Sequence, residues 1–389
     1  MAQFINARDA LVSEAIDGVL RVAKGTLARL DGYPHIKVVV RADWDKSGVA
    51  LVSGGGSGHE PAHAGFVGKG MLTAAVCGDV FASPSADAVL AGILAVTGDA
   101  GCLLIVKNYT GDRLNFGLAA ERARELGRKV SMVVVDDDVA LPDIAQPRGV
   151  AGTLFVHKIA GALAESGADL ESVTHSANRV IADVRSIGMS LDTCTVPGAE
   201  KENRIGKGKA ELGLGIHGEP GVEQVEFEGA RDAMAMVVDR LAPGLGSGDH
   251  VALLNNLGGA TQLEMAVLTE ELCRSRIGDR ITHIVGPAPL MTSLDMHGFS
   301  LSLLPVNAEQ LDAMQSPVRP VAWPGCAPVA DAEIVSMPDG MSPSVYSPSS
   351  NDGMREIIVA GCCALKESER ALNALDAKSG DGDTGSTVA

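Results

Sequence analysis

The sequence predicts an α/β protein with more than one domain, and three observations support this prediction. The 389 residues are enough to bury several hydrophobic cores. Hydrophobic residues make up 46 % of the chain, aromatic residues only 3 %, and glycines number 46, a composition typical of close packing between helices and sheets. Short β-branched segments alternate with segments of helical spacing, which is typical of mostly parallel or mixed sheets.

The elements of a first α/β domain follow in chain order. Apolar residues at helical spacing predict a helix from Asp9 to Lys24. Buried strands then alternate with helices: the strands are Val49 to Val52, Cys102 to Val106 and Val130 to Val135, and the helices are Ala86 to Val96, Gly117 to Leu126 and Ala151 to Ser166. Each strand ends in a polar or glycine-rich segment, and open α/β sheets bind ligands at that edge.

A second α/β domain is predicted from strands at Val251 to Leu254 and Ile281 to Val285. From Pro317 to about Asp352 the chain is rich in Pro, Ser and Ala without helical periodicity, which indicates a linker. A helix from Met354 to Leu375 follows. The predicted division is therefore residues 1–186, residues 187–330, a linker at 331–352 and a last segment at 353–389.

Charge and composition exclude several classes of partner. The formal net charge of −17 would repel DNA or RNA, and no local basic patch is visible. The seven cysteines are scattered without a C-x-x-C pair, which indicates a reducing compartment. The N-terminus lacks a basic-then-apolar leader, and the longest apolar stretch is too short for a bilayer. We therefore expect a cytoplasmic protein with no nucleic-acid or membrane partner.

Two glycine-rich segments each present a histidine. Ser53 to Pro61 reads S-G-G-G-S-G-H-E-P, and glycines let a backbone approach a small polar ligand closely. Gly213 to Gly221 reads G-L-G-I-H-G-E-P-G and matches G-x-G-x-x-G, but the residues after it do not predict the helix that a dinucleotide site requires. The alternative is that His59 and His217 lie in ordinary turns. Two such segments together favour a binding site.

Charged residues near strand ends are further candidates for the functional site. Lys107 and Asp112 follow a buried strand, where an aspartate can take a proton from a substrate hydroxyl; an exposed turn is the alternative. Asp136 to Asp138 also end a strand and are expected to cap a helix or fix a loop, with metal binding as the alternative. The sequence has no P-loop, nucleophile elbow or H-E-x-x-H motif.

Three aspartates near the end of the chain have the spacing D-x₄-D-x-D. Asp376, Asp381 and Asp383 suit a hard cation such as Mg²⁺ or Ca²⁺. The segment does not match an EF-hand, because Gly385 occupies the fifth position of such a loop. A solvated acidic turn is the alternative.

Together these motifs resemble those of the dihydroxyacetone kinases of the ATP-dependent, single-chain type. The matching blocks are Ser53 to Pro61, Gly78 to Pro84, Lys107 to Asp112, Asp136 to Asp138, Arg148 to Ala151, Cys194 to Pro197, Gly215 to Gly221 and Ser293 to Met296. The resemblance implies that two α/β domains with mostly parallel or mixed sheets form a ketose-binding half up to about residue 330. It implies that the first helix of an all-α nucleotide domain follows the linker.

The resemblance also implies roles for single residues. His217 would hold the ketose as a covalent hemiaminal, while His59 and Asp112 would act on the hydroxyl that is phosphorylated. The implied substrate contacts are Gly56, Ser57, Gly58, His59, Lys107, Asp112 and His217. The implied cofactors are ATP and Mg²⁺, with Asp376, Asp381 and Asp383 as metal ligands.

Three further expectations follow from the resemblance. The chain should form a homodimer through its ketose-binding half. The family's nucleotide domain continues well beyond the aspartate loop, so its remainder would come in cis or from a separate subunit, and the 389-residue chain alone should turn over little ATP. A kinase for a four-carbon ketose such as erythrulose, or a non-catalytic ketose-binding or regulatory module, remains an alternative.

Overall fold

The computed structural model describes residues 3–140, 146–341 and 350–389. It divides into two compact units, Met1–Ala330 and Asp331–Ala389. The first unit contains two sheets with helices packed on them, so the predicted α/β fold is confirmed. Among the described helices, none is both long and apolar enough to span a membrane.

The first sheet is mixed. Its strands are β1 (Leu27–Arg29), β2 (Val38–Arg41), β3 (Ala50–Ser57), β4 (Ala74–Val80), β5 (Cys102–Lys107) and β6 (Val130–Val135). They lie in the order β1-β2-β4-β3-β5-β6. β3 pairs in parallel with β4 and β5, and β5 pairs in parallel with β6, whereas β2 pairs antiparallel with β1 and β4. The carboxyl ends of β3 and β5 therefore lie side by side.

Five helices accompany the first sheet: α1 (Leu11–Val22), α2 (Ala86–Val96), α3 (Thr110–Glu125), α4 (Thr153–Glu165) and α5 (Leu170–Asp183). α2 begins where the Ser85 side chain accepts a hydrogen bond from a backbone N–H of the first turn, and Asp169 caps α5 in the same way. α3 and α4 have no such side-chain cap.

The second sheet is mostly antiparallel. Its strands are β7 (Arg185–Ser190), β8 (Lys209–Leu212), β9 (Glu223–Glu226), β10 (His250–Asn256), β11 (Ile281–Ala288), β12 (Gly298–Pro305) and β13 (Cys326–Pro328), in the order β13-β11-β10-β12-β7-β8-β9. β10 and β11 pair in parallel. Its helices are α6 (Ala230–Leu241), α7 (Gln262–Cys273) and α8 (Ala308–Gln315).

Successive residues of a strand point to opposite faces of its sheet, and each face packs in a different hydrophobic core. The first unit is therefore built of layers. Leu51 of β3 and Leu253 of β10 belong to one core with α4 and α5, so these two helices lie between the sheets. Val52 faces α2 and α3 on the outer side of the first sheet. Leu254 faces α6 and α7 on the outer side of the second. Both sheets are thus covered on both faces.

Two boundaries differ from the prediction by five residues or more. The strand predicted to end at Val52 continues to Ser57, so the first glycines belong to the strand and not to a loop. Glycine suits this position because a Cβ on Gly54 would lie 2.2 Å from the Val76 carbonyl oxygen of β4. The helix predicted to start at Gly117 starts at Thr110, which buries Asp112 in its first turn and rules out the exposed-turn alternative.

The second unit contains two helices among its described residues, α9 (Asp352–Asp376) and α10 (Thr384–Val388). The predicted helix from Met354 to Leu375 is confirmed, with Asn351 as its N-cap. The three aspartates of interest lie at the end of α9 and in the short connection to α10.

We predict opposite effects of adding a methyl group at two glycines. Gly54→Ala should lower the free energy of unfolding by roughly 1–3 kcal/mol, because its Cβ would collide with the backbone of β4. Gly117→Ala is the matched control, since nothing lies within 4 Å of its Cβ inside α3. It should raise stability by about 0.5–1 kcal/mol through helix propensity. Urea denaturation measures both, and a neutral Gly54→Ala would contradict the close strand packing.

Candidate functional site

The candidate site lies where the carboxyl ends of β3 and β5 face loops of the second sheet. The segment after β3 pairs with the β11–β12 connection: the Thr292 N–H donates to the His59 carbonyl oxygen at 3.1 Å, and the Leu294 N–H donates to that of Gly58 at 2.8 Å. The loop between β8 and β9 adds His217 from the same side. Both sheets thus contribute residues to one site.

His217 lies among three aromatic rings. Its ring centroid is 4.6 Å from that of Tyr109, 4.8 Å from that of His59 and 5.3 Å from that of Phe81, each in an edge-to-face arrangement. The His217 side chain keeps 19 % of its surface exposed. Contacts on several sides fix the ring while leaving an approach from solvent.

Glu219 sets the hydrogen-bonding state of His217. One carboxylate oxygen lies 3.0 Å from His217 Nδ1, and the other accepts the His217 backbone N–H at 2.9 Å. A carboxylate only accepts hydrogen bonds, so Nδ1 carries a hydrogen, and the tautomer with that hydrogen has its lone pair on Nε2. The arrangement provides a nucleophilic nitrogen held in one orientation.

His59 is held in the same tautomer by a different acceptor. Its Nδ1 lies 2.8 Å from the Thr292 carbonyl oxygen, which fixes the hydrogen on Nδ1. Nε2 is buried and has no hydrogen-bond partner among the described residues. Burial lowers the pKa of His59 well below its ordinary value, and the neighbouring His217 and Lys107 side chains lower it further. A neutral imidazole with a free lone pair can accept a proton.

The side chains of Lys107 and Asp112 both lie close to Gly55. A Cβ on Gly55 would lie 2.6 Å from Lys107 Nζ and 3.4 Å from an Asp112 carboxylate oxygen. Both side chains are buried, and burial lowers the pKa of Lys107. Asp112 Oδ1 has no partner among the described residues. A small polar group above Gly55 could therefore contact an ammonium and a carboxylate at once.

Two aspartates after β6 fix the chain around this site. Asp137 accepts the backbone N–H groups of Val150 at 2.7 Å and of Gly152 at 2.8 Å, next to the start of α4. Asp138 accepts the Arg148 guanidinium at 2.7 Å, and Arg148 also donates to the Gly213 carbonyl oxygen. The predicted loop-fixing role is confirmed for both. Burial raises the pKa of Asp137 to about 6.

The second unit holds a separate group of carboxylates. Asp376, Asp381 and Asp383 each offer an oxygen, and these atoms lie within 4.8 Å of one another. Asp376 accepts the backbone N–H of Gly382 at 2.8 Å, and this bond lowers its pKa. Three convergent carboxylates fit a hard divalent cation. The fit supports the predicted metal ligands, which stay a prediction.

The structure brings His59, Lys107, Asp112 and His217 together, as the sequence analysis expected. Gly56 and Ser57 end β3 beside them, and Gly58 follows; the Ser57 hydroxyl donates to the Gly78 carbonyl oxygen at 2.8 Å. Other residues that line the site have no role predicted from the sequence. They are Glu219, Phe81, Thr292, His63 and His157. One signal was present: the dipeptide Glu-Pro follows both site histidines closely.

The relatives found by comparison with known proteins agree with one another. Residues 17–322 match the family model described as the Dak1 domain. The chain is 49 % identical to dihydroxyacetone kinase of Citrobacter freundii, over 99 % of this chain and 70 % of that one. It is 39 % identical to human triokinase/FMN cyclase, over 99 % and 70 %. A crystal structure of the Citrobacter freundii kinase with AMP-PNP and Mg²⁺ is similar with a TM-score of 0.86, over 100 % of this chain and 73 % of that one, at 49 % identity.

We predict a loss of stability in mild acid caused by buried histidines. Burial lowers the pKa of His157 to about 3, so below the ordinary value of about 6.5 the unfolded chain binds a proton that the folded chain does not. The free energy of unfolding is therefore unaffected by this group above that pH and falls as the pH drops. The decrease due to His157 is about 2 kcal/mol at pH 5. His157→Phe should remove that share of the loss between pH 7.5 and pH 5, measured by urea denaturation. His175→Gln, at an exposed histidine, is the control and should keep the full loss.

Proposed function

The chain belongs to the dihydroxyacetone kinase family, and we propose that it transfers the γ-phosphate of ATP to dihydroxyacetone held as a hemiaminal on His217. The product would be dihydroxyacetone phosphate. One observation carries this proposal above all: the His59 and His217 imidazoles lie edge-to-face with their ring centroids 4.8 Å apart, and Nδ1 of each ring is engaged by an oxygen acceptor.

The first imidazole would bind the substrate. His217 Nε2 attacks the ketone carbon, the C=O π bond opens, and the oxygen takes up a proton from solvent water to become a hydroxyl. The ring balances this uptake by releasing its Nδ1 proton to solvent through Glu219. Positive charge develops on the ring as the N–C bond forms, and the Glu219 carboxylate at Nδ1 stabilises it. This bond selects carbonyl compounds over polyols such as glycerol, because a polyol offers no electrophilic carbon.

The second imidazole and Asp112 would act on the terminal hydroxyl. Asp112 Oδ1 and His59 Nε2 are buried acceptors that have no hydrogen-bond partner within the described part of the chain, so either can receive the proton as the hydroxyl oxygen attacks phosphorus. Lys107 Nζ, close to the same space, would donate a hydrogen bond that holds the hydroxyl. Covalent tethering keeps this oxygen oriented for in-line attack, where positioning supplies much of the catalysis.

ATP and Mg²⁺ enter the proposal through the relative crystallised with AMP-PNP and Mg²⁺. The residues that would hold Mg²⁺ in this chain are Asp376, Asp381 and Asp383, whose converging oxygens fit such an ion. When bound, the ion neutralises charge on the phosphates during transfer.

Other expectations also stay proposals that rest on the family resemblance. We propose that residues 1–186 and 187–330 act as the two domains of the ketose-binding half, with a linker at 331–352 and a nucleotide-domain helix in 353–389. We propose a homodimer formed through the ketose-binding half, and a cytoplasmic location.

We predict that two variants separate substrate binding from phosphoryl transfer. His217→Ala should abolish the mass increase that borohydride trapping of dihydroxyacetone gives, because no nucleophile remains to form the adduct. Asp112→Asn should still form the adduct but lose roughly 10²–10⁴-fold in phosphorylation rate, the usual effect of removing a general base. Intact-protein mass spectrometry and a coupled kinase assay measure the two effects.

His297→Ala is the matched control, since His297 also pairs with a glutamate, Glu264, at 2.8 Å. It should trap dihydroxyacetone as the unaltered chain does. An adduct that persists in His217→Ala would assign the covalent bond elsewhere. The same assay with both erythrulose enantiomers decides between a three-carbon and a four-carbon ketose. A chain that binds ketose but does not phosphorylate it even when a complete nucleotide domain is supplied would favour the non-catalytic module.

We predict that Asp381→Ala removes Mg²⁺ binding by the aspartate group, because two carboxylates hold the ion less well than three. Isothermal titration with Mg²⁺ alone measures the effect without any nucleotide. Asp352→Ala, at the exposed start of α9, is the control and should leave the titration unchanged. Equal Mg²⁺ affinity in both variants would remove the aspartates from the metal site.

A further inference from the structure

We propose that His63 is a positioning residue for ketose phosphorylation: its Nε2 holds the Lys107 ammonium above Gly55, where the substrate hydroxyl would meet Asp112. The inference rests on the proposed function for the identity of the substrate. It assigns a part to a buried histidine that the mechanism above does not use.

The contacts of Lys107 carry the first step of the inference. Lys107 ends β5, and its side chain is fully buried. Nζ lies 2.9 Å from His63 Nε2 and 3.4 Å from the Gly54 carbonyl oxygen. An ammonium has three N–H donors. His63 takes the closest contact and Gly54 a long one, which leaves one N–H without a partner among the residues that the structure describes.

The space above Gly55 carries the second step. A Cβ built on Gly55 would lie 2.6 Å from Lys107 Nζ, and 3.4 and 3.9 Å from the two oxygens of Asp112. An oxygen atom of a small ligand near that point would reach a donor and an acceptor together. Because a lysine side chain has four rotatable bonds, a hydrogen-bond partner for Nζ adds to packing in fixing the position of the ammonium.

The chemistry of His63 carries the third step. An ammonium only donates hydrogen bonds, so Nε2 must carry the lone pair and Nδ1 the hydrogen. Burial lowers the pKa of His63 well below its ordinary value, and the Lys107 charge lowers it further, which keeps the ring neutral. The ring packs edge-to-face against His157 at 5.2 Å between centroids. Packing alone would not require a nitrogen that faces Lys107.

A kinetic test uses rescue and a double-mutant cycle with dihydroxyacetone as substrate, in protein that is supplied with a complete nucleotide domain. His63→Leu should lower kcat/KM by about ten- to a hundredfold, the usual effect of removing a hydrogen bond to a charged group. His63→Gln should recover most of it, because its amide oxygen can accept from Nζ. In a Lys107→Met background, His63→Leu should change kcat/KM less than about threefold, since a residue that acts through Lys107 has nothing left to position.

Losses that multiply in the double variant would overturn the proposal and leave His63 a packing residue. His250→Leu is the matched control for the cost of deleting a buried histidine. His250 starts β10 and bonds the Gly248 carbonyl oxygen, away from Lys107. This variant should keep kcat/KM within about threefold of the unaltered chain.

A second measurement needs neither substrate nor a folded variant. Nitrogen-15 NMR of the unaltered chain should report His63 as a neutral ring with its hydrogen on Nδ1. A hydrogen on Nε2, or a doubly protonated ring, would overturn the proposal, since such a ring cannot accept from Lys107. Failure of the proposed function looks different: the unaltered chain would neither trap nor phosphorylate a ketose, while the His63 tautomer would stay as stated.

Discussion

The hydrogen bond from His59 Nδ1 to the Thr292 carbonyl oxygen is the contact on which the site depends. It joins the segment after β3 to the β11–β12 connection and is reinforced by two backbone bonds between the same segments. A single bond thus fixes the tautomer of His59, aims its Nε2 away from Thr292 and couples the two sheets at the point where the ketose would bind. Glu219 does the same for His217 within one loop, so neither imidazole has freedom to reverse its donor and acceptor nitrogens.

Burial decides the charge of the groups around this contact. His59, His63 and His157 are buried, and each has its pKa lowered by desolvation, so these rings are neutral near pH 7. Charge is confined to groups that have an opposite charge nearby. Lys107 is buried close to Asp112 and Asp137, whose negative charges oppose the effect of burial on its pKa. In such a site the neutral rings keep an unprotonated nitrogen near pH 7, which is the state that the proposed proton acceptor requires.

Much of the fold and part of the site could be predicted from local sequence. Val49 to Val52 and Cys102 to Val106 are apolar runs bounded by breakers, and both lie in buried strands. The ends of elements were less certain. The glycines after Val52 predict a loop when seen alone, yet they continue β3 because they pair with β4. β4 approaches Gly54 so closely that no side chain would fit there. Short strands such as β1 and β13 have only three residues, too few for any periodic signal, and their partners define them.

The sequence by itself determined which chemistry the chain carries: two histidines among glycines, a lysine and an aspartate after a buried strand, and three spaced aspartates. These are local patterns, because residue type and spacing fix them before the chain folds. Only the tertiary structure decided which of them act on one another. Thr292 lies more than two hundred positions from His59, and Lys107 meets His63 through the pairing of β5 with β3. Tautomer, burial and pKa arise from such long-range contacts, since each depends on which atoms surround a group and not on its neighbours in the chain.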